Sequence, residues 1–143
     1  MLSHTCKTAV RAVIFLASKT DPEERSGILE IADIIDASEH TVGKLLQVLV
    51  KNGVINSVKG PSGGFYISAS QKRLPIINII EAIDGKELFK ECGLGLAKCS
   101  SRHPCPIHND YKIVRDLFEK LCREKIIADL GGPVKGGLAY LVS

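Results

Sequence analysis

The 143 residues are one domain's worth of chain, and a 45% hydrophobic composition is enough for a sizeable core. With no Trp and only 5% aromatics that core must be mostly aliphatic, and a net charge of +3 at a pI near 8.6 is compatible with nucleic acid without requiring it. The N-terminal apolar run, "AVRAVIFLASK", is interrupted by Arg11 and followed by no small-residue cleavage site; this argues against a signal peptide or a membrane span and for the cytosol, where five cysteines serve metal, redox or catalytic chemistry rather than a disulfide framework.

Residues 3–19 repeat apolar side chains at Val10, Val13, Ile14 and Ala17, the spacing of an amphipathic helix. A polar turn, "TDPEERSG", follows. A short helix with Ile28, Ile31, Ile34 and Ile35 inward stops near Asp36–Ala37. Ser38 can then cap a third helix whose apolar stripe is Val42, Leu45, Leu46 and Leu49 and which ends at Asn52-Gly53. A short helix, a tight turn and a second helix in series form a helix-turn-helix. Two β-prone runs, 54–58 and 65–68, flank a Gly/Pro loop and predict a hairpin, which placed directly after a helix-turn-helix is a wing.

Pro75 opens another short helix, with Ile76, Ile79, Ile80 and Ile83 on one face and Gly85 at its end. An irregular stretch, "ECGLGLAKCSSRHPCPIH", comes next. Pro106 then starts a long helix reaching about Leu130, in which Ile107, Tyr111, Val114, Phe118 and Leu121 alternate spacings of four and three, a heptad-like seam that Leu117 and Cys122 broaden. The glycine-rich tail is expected to be loose or weakly docked. The expected architecture is mainly α with a small β-hairpin: a winged helix-turn-helix domain over 1–85, a cysteine-rich loop over 86–108, a long helix over 109–130 and a flexible tail over 131–143.

Opposite the leucine stripe of the third helix lie His40, Lys44, Gln47 and Lys51, on one line and all able to donate hydrogen bonds. Lysines suit phosphates and guanine edges, and glutamine pairs bidentately with adenine. A polar stripe by itself is usually a solvated helix face; the short helix before it and the hairpin after it favour DNA. Gly43 sits mid-helix, where glycine costs roughly 0.5–1 kcal/mol relative to alanine, and either close approach to a phosphate or neighbouring helix, or simple tolerance, accounts for it. The wing tip, "VKGPSGG", carries Lys59, and its glycines free the backbone to approach a surface; it lacks the spacing and terminal Lys-Ser/Thr of a P-loop. The candidate DNA-contacting set is Ser38, His40, Thr41, Gly43, Lys44, Gln47 and Lys51 on the helix, with Lys59, Gly60, Ser62 and Gly63 on the wing.

Cys92, Cys99 and Cys105 read C-x6-C-x5-C, and His108 adds C-x2-H. No paired C-x2-C knuckles of a zinc ribbon are present. Wide spacing on a Gly/Ser/Pro loop suits a larger object such as an iron–sulfur cluster, with His108 the best local fourth ligand. A Cys3His zinc site, metal-free thiol sensing and unremarkable free thiols are the alternatives. Cys122 falls on an apolar seam and reads as core; Cys6 is a remote candidate; His103 is a weaker ligand than His108, and His4 reads as surface. No Ser-His-Asp order, paired carboxylates or nucleotide fingerprint suggests an enzyme.

"ILEIADIIDAS", "LLQVLVKNGVINSVKGPSGGFYIS" and the three-cysteine loop before a long helix resemble the winged-helix regulators that include IscR, NsrR and CymR, over nearly all of residues 2–128. The resemblance implies a homodimeric transcription regulator that binds double-stranded DNA, with long C-terminal helices crossing as a dimerisation platform and Tyr111, Val114, Phe118 and Leu121 as its seam. It implies no membrane and no small-molecule substrate. Cluster-binding members use the three loop cysteines, and the IscR-like branch adds a histidine at the position of His108, which favours a 2Fe–2S over a 4Fe–4S cluster. The NsrR-like branch draws an aspartate from the first helix, where Lys7 stands here, and CymR-like members lack the cysteine trio. Base-reading serine, glutamate and glutamine of the IscR-like proteins correspond to His40, Gly43 and Lys44, and the wing arginine to Lys59, so the operator sequence does not carry over. The competing readings are a zinc- or thiol-based redox regulator of the same fold and, from another class, a small iron–sulfur redox protein with an idle wing.

Overall fold

The computed structural model describes residues 2–21 and 24–143. Met1, and Pro22 and Glu23 of the predicted polar turn, lie outside them. The described residues form α1 (His4–Ala17), α2 (Ile28–Ile34), α3 (Glu39–Lys51), β1 (Asn56–Val58), β2 (Gly64–Tyr66), α4 (Ala69–Lys72), α5 (Ile77–Asp84), a single 3₁₀ turn (Leu88–Lys90), α6 (His108–Glu124) and α7 (Ile127–Lys135). This is the mainly helical fold with one hairpin that the sequence predicts.

Helix α1 is the centre of the core, packed by α3, α5 and α7. Ser3 caps it by accepting from the Cys6 amide at 3.0 Å. Its buried face is Cys6, Ala9, Ala12, Val13, Leu16 and Ala17, while the expected Val10 and Ile14 are only half-buried at its flanks. The small alanines let three helices close on α1. On α2 the inward side chains are Ile31 and Ile35; Ile34, expected inward, is exposed.

The tight turn into α3 runs through Asp36 at φ +52° and is held from outside by Arg11, whose Nη1 donates to the Ile35 carbonyl at 2.7 Å. Ser38 caps α3, accepting from the Thr41 amide at 3.2 Å. Val42, Leu45, Leu46 and Leu49 are buried, as their spacing predicts, so the other face of α3 must look outward.

The wing strands pair antiparallel, Asn56 with Tyr66, Ser57 with Phe65 and Val58 with Gly64. They are shorter than expected because Val54 and Ile55 are core residues rather than ladder residues. Ser26 extends the pair on its other edge by exchanging two backbone hydrogen bonds with Phe65, 2.9 and 2.8 Å. The unpredicted α4 is a capping box, with Ser68 Oγ accepting from the Gln71 amide and Gln71 Oε1 from the Ser68 amide. The Gln71 side-chain Nε2 also donates to the Gly53 carbonyl, tying α4 to the wing's base.

The predicted long helix is corrected. The helix expected from Pro106 to about Leu130 ends at Glu124. Lys125 is extended, its carbonyl accepts from Ile76 N at 2.9 Å, and Ile127 N donates to the Leu74 carbonyl at 2.9 Å. The chain thus leaves the helix to make a short antiparallel bridge with residues 74–76. It then re-enters as α7, so residues 131–135 of the expected loose tail are helical. Gly131 is why α7 docks closely: a Cβ there would lie 2.9 Å from the Ala17 Cβ.

Candidate functional site

With its leucine stripe buried, α3 exposes His40, Lys44, Gln47 and Lys51 together. His40, Lys44 and Gln47 share an open groove with Glu39, Gly43 and Val48, and Lys51 lies beyond it in the last turn of the helix. Glu39 was not among the expected contacts; it lies next to the cap residue in the first turn, where an acidic side chain suits the helix dipole. Ser38 and Thr41 are engaged with each other at the cap, their hydroxyls 3.2 Å apart. Gly43 faces Ile28 of α2 across a gap wide enough for a methyl group.

A second groove runs between α2, α3 and the wing, and Gln47 and Lys59 both line it. The fold therefore brings the helix set and the wing cation onto one surface. Lys59, Gly60, Pro61 and Ser62 are exposed at the tip. Gly63 and Gly64 are there for space: a Cβ on Gly63 would run into the Val58 carbonyl, and one on Gly64, at φ +143°, would lie 2.8 Å from the Ser26 carbonyl oxygen. Arg25, missed by sequence reasoning, lies over the Tyr66 ring at 5.7 Å and adds a cation beside the wing. Lys44, Lys51, Lys59 and Arg25 give this surface the cations that contact with a polyanion such as a DNA backbone needs.

The cysteine loop starts where Phe89 packs on Phe118 of α6, with ring centroids 5.7 Å apart. Arg115 Nη1 donates to the Glu91 carbonyl at 2.7 Å. The Tyr111 ring lies so close over Gly93 that any Cβ there would clash with it. Cys92, Cys105 and His108 are buried, and Cys99 is half-buried. Cys99 Sγ stands 3.3 Å from His108 Nδ1, and the Leu94 amide donates to Cys92 Sγ at 3.4 Å.

Backbone amides of Leu94, then Leu96, draw the Cys92 thiol below its usual value, with Cys105 and the Gly95 amide contributing. Burial pushes the Cys105 thiol up, and the neighbouring Cys92 and Cys99 add to it. The two thiols are therefore neighbours, and Cys92 gives up its proton first. Among the described residues, no three Cys, His, Asp or Glu side chains close tightly enough around one point for a single metal ion. Cys92, Cys99, Cys105 and His108 are the side chains of this loop that could hold an inorganic group.

The other candidates are elsewhere. His103 is exposed on the outer arm of the loop. Cys6 and Cys122 are fully buried in the core, Cys6 beside Asp84. Burial, then Asp84, then Cys122 push the Cys6 thiol up to about 12, and burial pushes Cys122 to about 11, which makes both inert.

The predicted seam on α6 is split. Phe118 packs on Phe89 and Tyr111 on Gly93, within the same chain. Val114 and Leu121 point away, and with Ile113 and Leu117 they make an exposed apolar stripe; Leu117 is 62% exposed. No helix among the described residues is long and apolar enough to cross a membrane.

The sequence profile of the Rrf2 family, described as "Iron-dependent Transcriptional regulator", matches residues 2–132. A protein of Aquifex aeolicus, provisionally named an HTH-type transcriptional regulator, is 29% identical over 132 residues, 91% of this chain and 90% of its own. The HTH-type transcriptional regulator IscR of Klebsiella pneumoniae (strain 342) is 28% identical over 116 residues, 79% of this chain and 66% of its own. Among solved structures, CymR, described as the global cysteine regulator of B. subtilis, superposes with a TM-score of 0.75 at 20% identity, covering 92% of this chain and 96% of its own.

Proposed function

Since the chain belongs to the Rrf2 family of transcriptional regulators, we propose that it works in the cytoplasm as a homodimer whose hold on double-stranded DNA follows the state of an iron–sulfur cluster. A transcriptional regulator acts by binding DNA, and the α3–wing surface is the part of this chain built for that. The Lys44 and Gln47 side chains read base edges in the major groove, Lys51 takes a phosphate, and Lys59 on the wing reaches the next groove or its backbone.

Cys92, Cys99, Cys105 and His108 would hold the cluster. The observation that carries this is the closeness of Cys99 Sγ to His108 Nδ1, 3.3 Å, beside two buried, neighbouring thiols. The donor chemistry fits the group. Cluster iron takes thiolate and imidazole, and cluster sulfurs are tuned by amide donors of the kind Leu94 already offers Cys92. A cluster also spreads its ligands around more than one iron, so it asks for a looser set than a single ion does. One imidazole in place of a thiolate leaves the site less negative and so raises its potential, and the IscR-like position of His108 favours two irons over four.

When bound, the cluster supplies a redox-sensitive cross-link between loop and helix. The rest is done by the chain. His108 is the first residue of α6, and Cys92 follows the 3₁₀ turn (Leu88–Lys90) that comes after α5. Freeing the loop between them changes how firmly the α3–wing head is fixed to α6. If the exposed α6 stripe joins two copies, the two recognition helices must sit about one DNA turn apart, ~34 Å, and small changes of that fixing alter the fit.

The test is protein prepared without oxygen. Equimolar iron and acid-labile sulfide with a visible charge-transfer band, together with retardation of genomic DNA fragments that weakens steeply with salt, is the expected result. Colourless protein without sulfide overturns the cluster; absence of retardation at low salt overturns the DNA surface.

A further inference from the structure

The two arms of the cysteine loop are held very differently. On the inner arm, Glu91 and Gly93 flank Cys92, and each is gripped by a side chain of α6 one turn from the other. Arg115 Nη1 donates to the Glu91 carbonyl at 2.7 Å, and the Tyr111 ring fills the space a Gly93 Cβ would need. Beyond Leu96, whose amide still faces the Cys92 thiol, the outer arm has no such grip: residues 97–98 and 101–104 are exposed, and the hydrogen bonds found there are Arg102 N to Ser100 Oγ and the Cys99–His108 contact.

Arg115 is unusual in its own right. It is 6% exposed, and its Nε has no hydrogen-bond partner. Among the described residues it makes no ion pair within 4.0 Å; those on α6 join Lys112 to Asp116 and Arg123 to Glu119. A buried, unpaired cation costs stability unless something in the fold requires its place. What it holds is the carbonyl immediately before Cys92.

From this we infer that Arg115 and Tyr111 are positioning residues that fix Cys92 on α6 in advance of any cofactor, and that Cys99, on the free arm, is the ligand that closes last. The state-dependent movement is then confined to residues 97–104, while the grip at 91–93 keeps Cys92 on α6 throughout. The inference rests on the reading of Cys92, Cys99, Cys105 and His108 as the cofactor site, but its first half concerns the empty protein alone.

Hydrogen exchange followed by mass spectrometry, on the full chain without cofactor and after reconstitution with iron and sulfide, tests both halves. In the empty protein, amides of 91–95 exchange slowly and those of 97–104 fast; reconstitution slows only 97–104. In Arg115→Gln the amides of 91–95 exchange roughly tenfold or more faster, because a hydrogen bond from a charged donor is lost. Arg115→Lys, which keeps one cationic donor, restores part of the protection, and a purely space-filling role would not show that rescue.

Gly93→Ala forces the loop off Tyr111 without touching α6, and stands in if the Arg115 variants do not fold. It too speeds exchange at 91–95, and in reconstituted protein it shortens the lifetime of the visible band in air while the empty protein's Tm stays put. Equal exchange of the two arms in the empty wild type, or unchanged protection of 91–95 in both variants, overturns the inference. Wild type that takes up no cluster but shows the slow inner arm overturns the cofactor reading instead and leaves the positioning role standing.

Discussion

Ile28 Cδ1 is 3.5 Å from the point where a Cβ on Gly43 would sit, an ordinary van der Waals distance. The fold of α3 against α2 therefore has room for alanine at this position, and packing does not require glycine. Gly43→Ala should stabilise the protein by about 0.5–1 kcal/mol, through helix propensity alone, raising Tm by ~1–4 °C. The same methyl group stands in the groove between His40, Lys44 and Gln47 and should weaken DNA binding. Thermal unfolding and DNA retardation on one preparation read both signs. A variant that is more stable and binds as tightly shows that Gly43 serves neither the fold nor DNA.

Gly64 is the opposite case. Its φ of +143° and the 2.8 Å approach of a Cβ to the Ser26 carbonyl oxygen leave alanine no accommodation without breaking the Ser26–Phe65 bridge. Gly64→Ala should cost ~1–3 kcal/mol and unfasten the wing from the segment before α2. NMR amide shifts confined to residues 24–28 and 56–66, with reduced DNA affinity and an intact α1–α5 core, are expected. An unchanged Ser26 amide would show that the bridge does not hold the wing.

The two glycines show what could be read from residues alone. Periodicity found α3 and its outward face, because Val42, Leu45, Leu46 and Leu49 obey one local rule, and the Gly/Pro cluster found the wing. The break after Glu124 obeys no local rule: it is made by hydrogen bonds to residues 74–76, some fifty positions earlier. Gly131 and Gly132 fell in the expected loose tail, yet Gly131 is a close contact with Ala17 that only tertiary packing explains. The heptad spacing on α6 was real but could not tell an apolar side chain that packs on its own loop, such as Phe118, from one left exposed, such as Leu117. Arg115 was invisible for the plainest reason: a charged residue inside a helix is expected in solvent.

The exposed stripe on α6 gives a direct test of dimerisation. Leu117 is 62% exposed within one chain, so Leu117→Glu should leave the monomer fold and its Tm nearly unchanged. In a two-fold dimer each interface holds the residue twice, and burying two carboxylates should raise the dimer dissociation constant on the order of a hundredfold or more. Sedimentation velocity at micromolar concentration should move from dimer to monomer. A variant that sediments with wild type places the interface elsewhere.

The buried thiols predict a pH dependence. Cys6 is pushed up from 9.0 to about 12, so the unfolded chain loses this proton near pH 9 while the folded protein keeps it. The unfolded state then binds fewer protons, and stability falls as pH rises through that window, by ~1.4 kcal/mol per pH unit for each such thiol. Below pH 9 the contribution is complete and flat. Cys122, raised to about 11, adds to the slope over a narrower range. Urea unfolding of wild type and Cys6→Ala between pH 8 and pH 11 should give curves of different slope, the variant's being shallower; parallel curves would remove Cys6 as the source.

The remaining prediction concerns His108, which is buried at the first position of α6 with Nδ1 3.3 Å from Cys99 Sγ. Its backbone amide is already satisfied by the Cys105 carbonyl at 3.0 Å, so the helix start does not depend on the imidazole. His108→Ala should therefore fold, at a cost of ~1–2 kcal/mol for the lost buried contacts. If the imidazole is a ligand, anaerobic His108→Ala should lose most of its iron or show a shifted visible band, and His108→Cys should retain iron at a lower reduction potential, since a thiolate adds negative charge. Lys44→Ala is the matching control, with an unaltered spectrum and weaker DNA retardation. A wild-type spectrum in His108→Ala would leave Cys92, Cys99 and Cys105 in place and move the fourth ligand outside this loop.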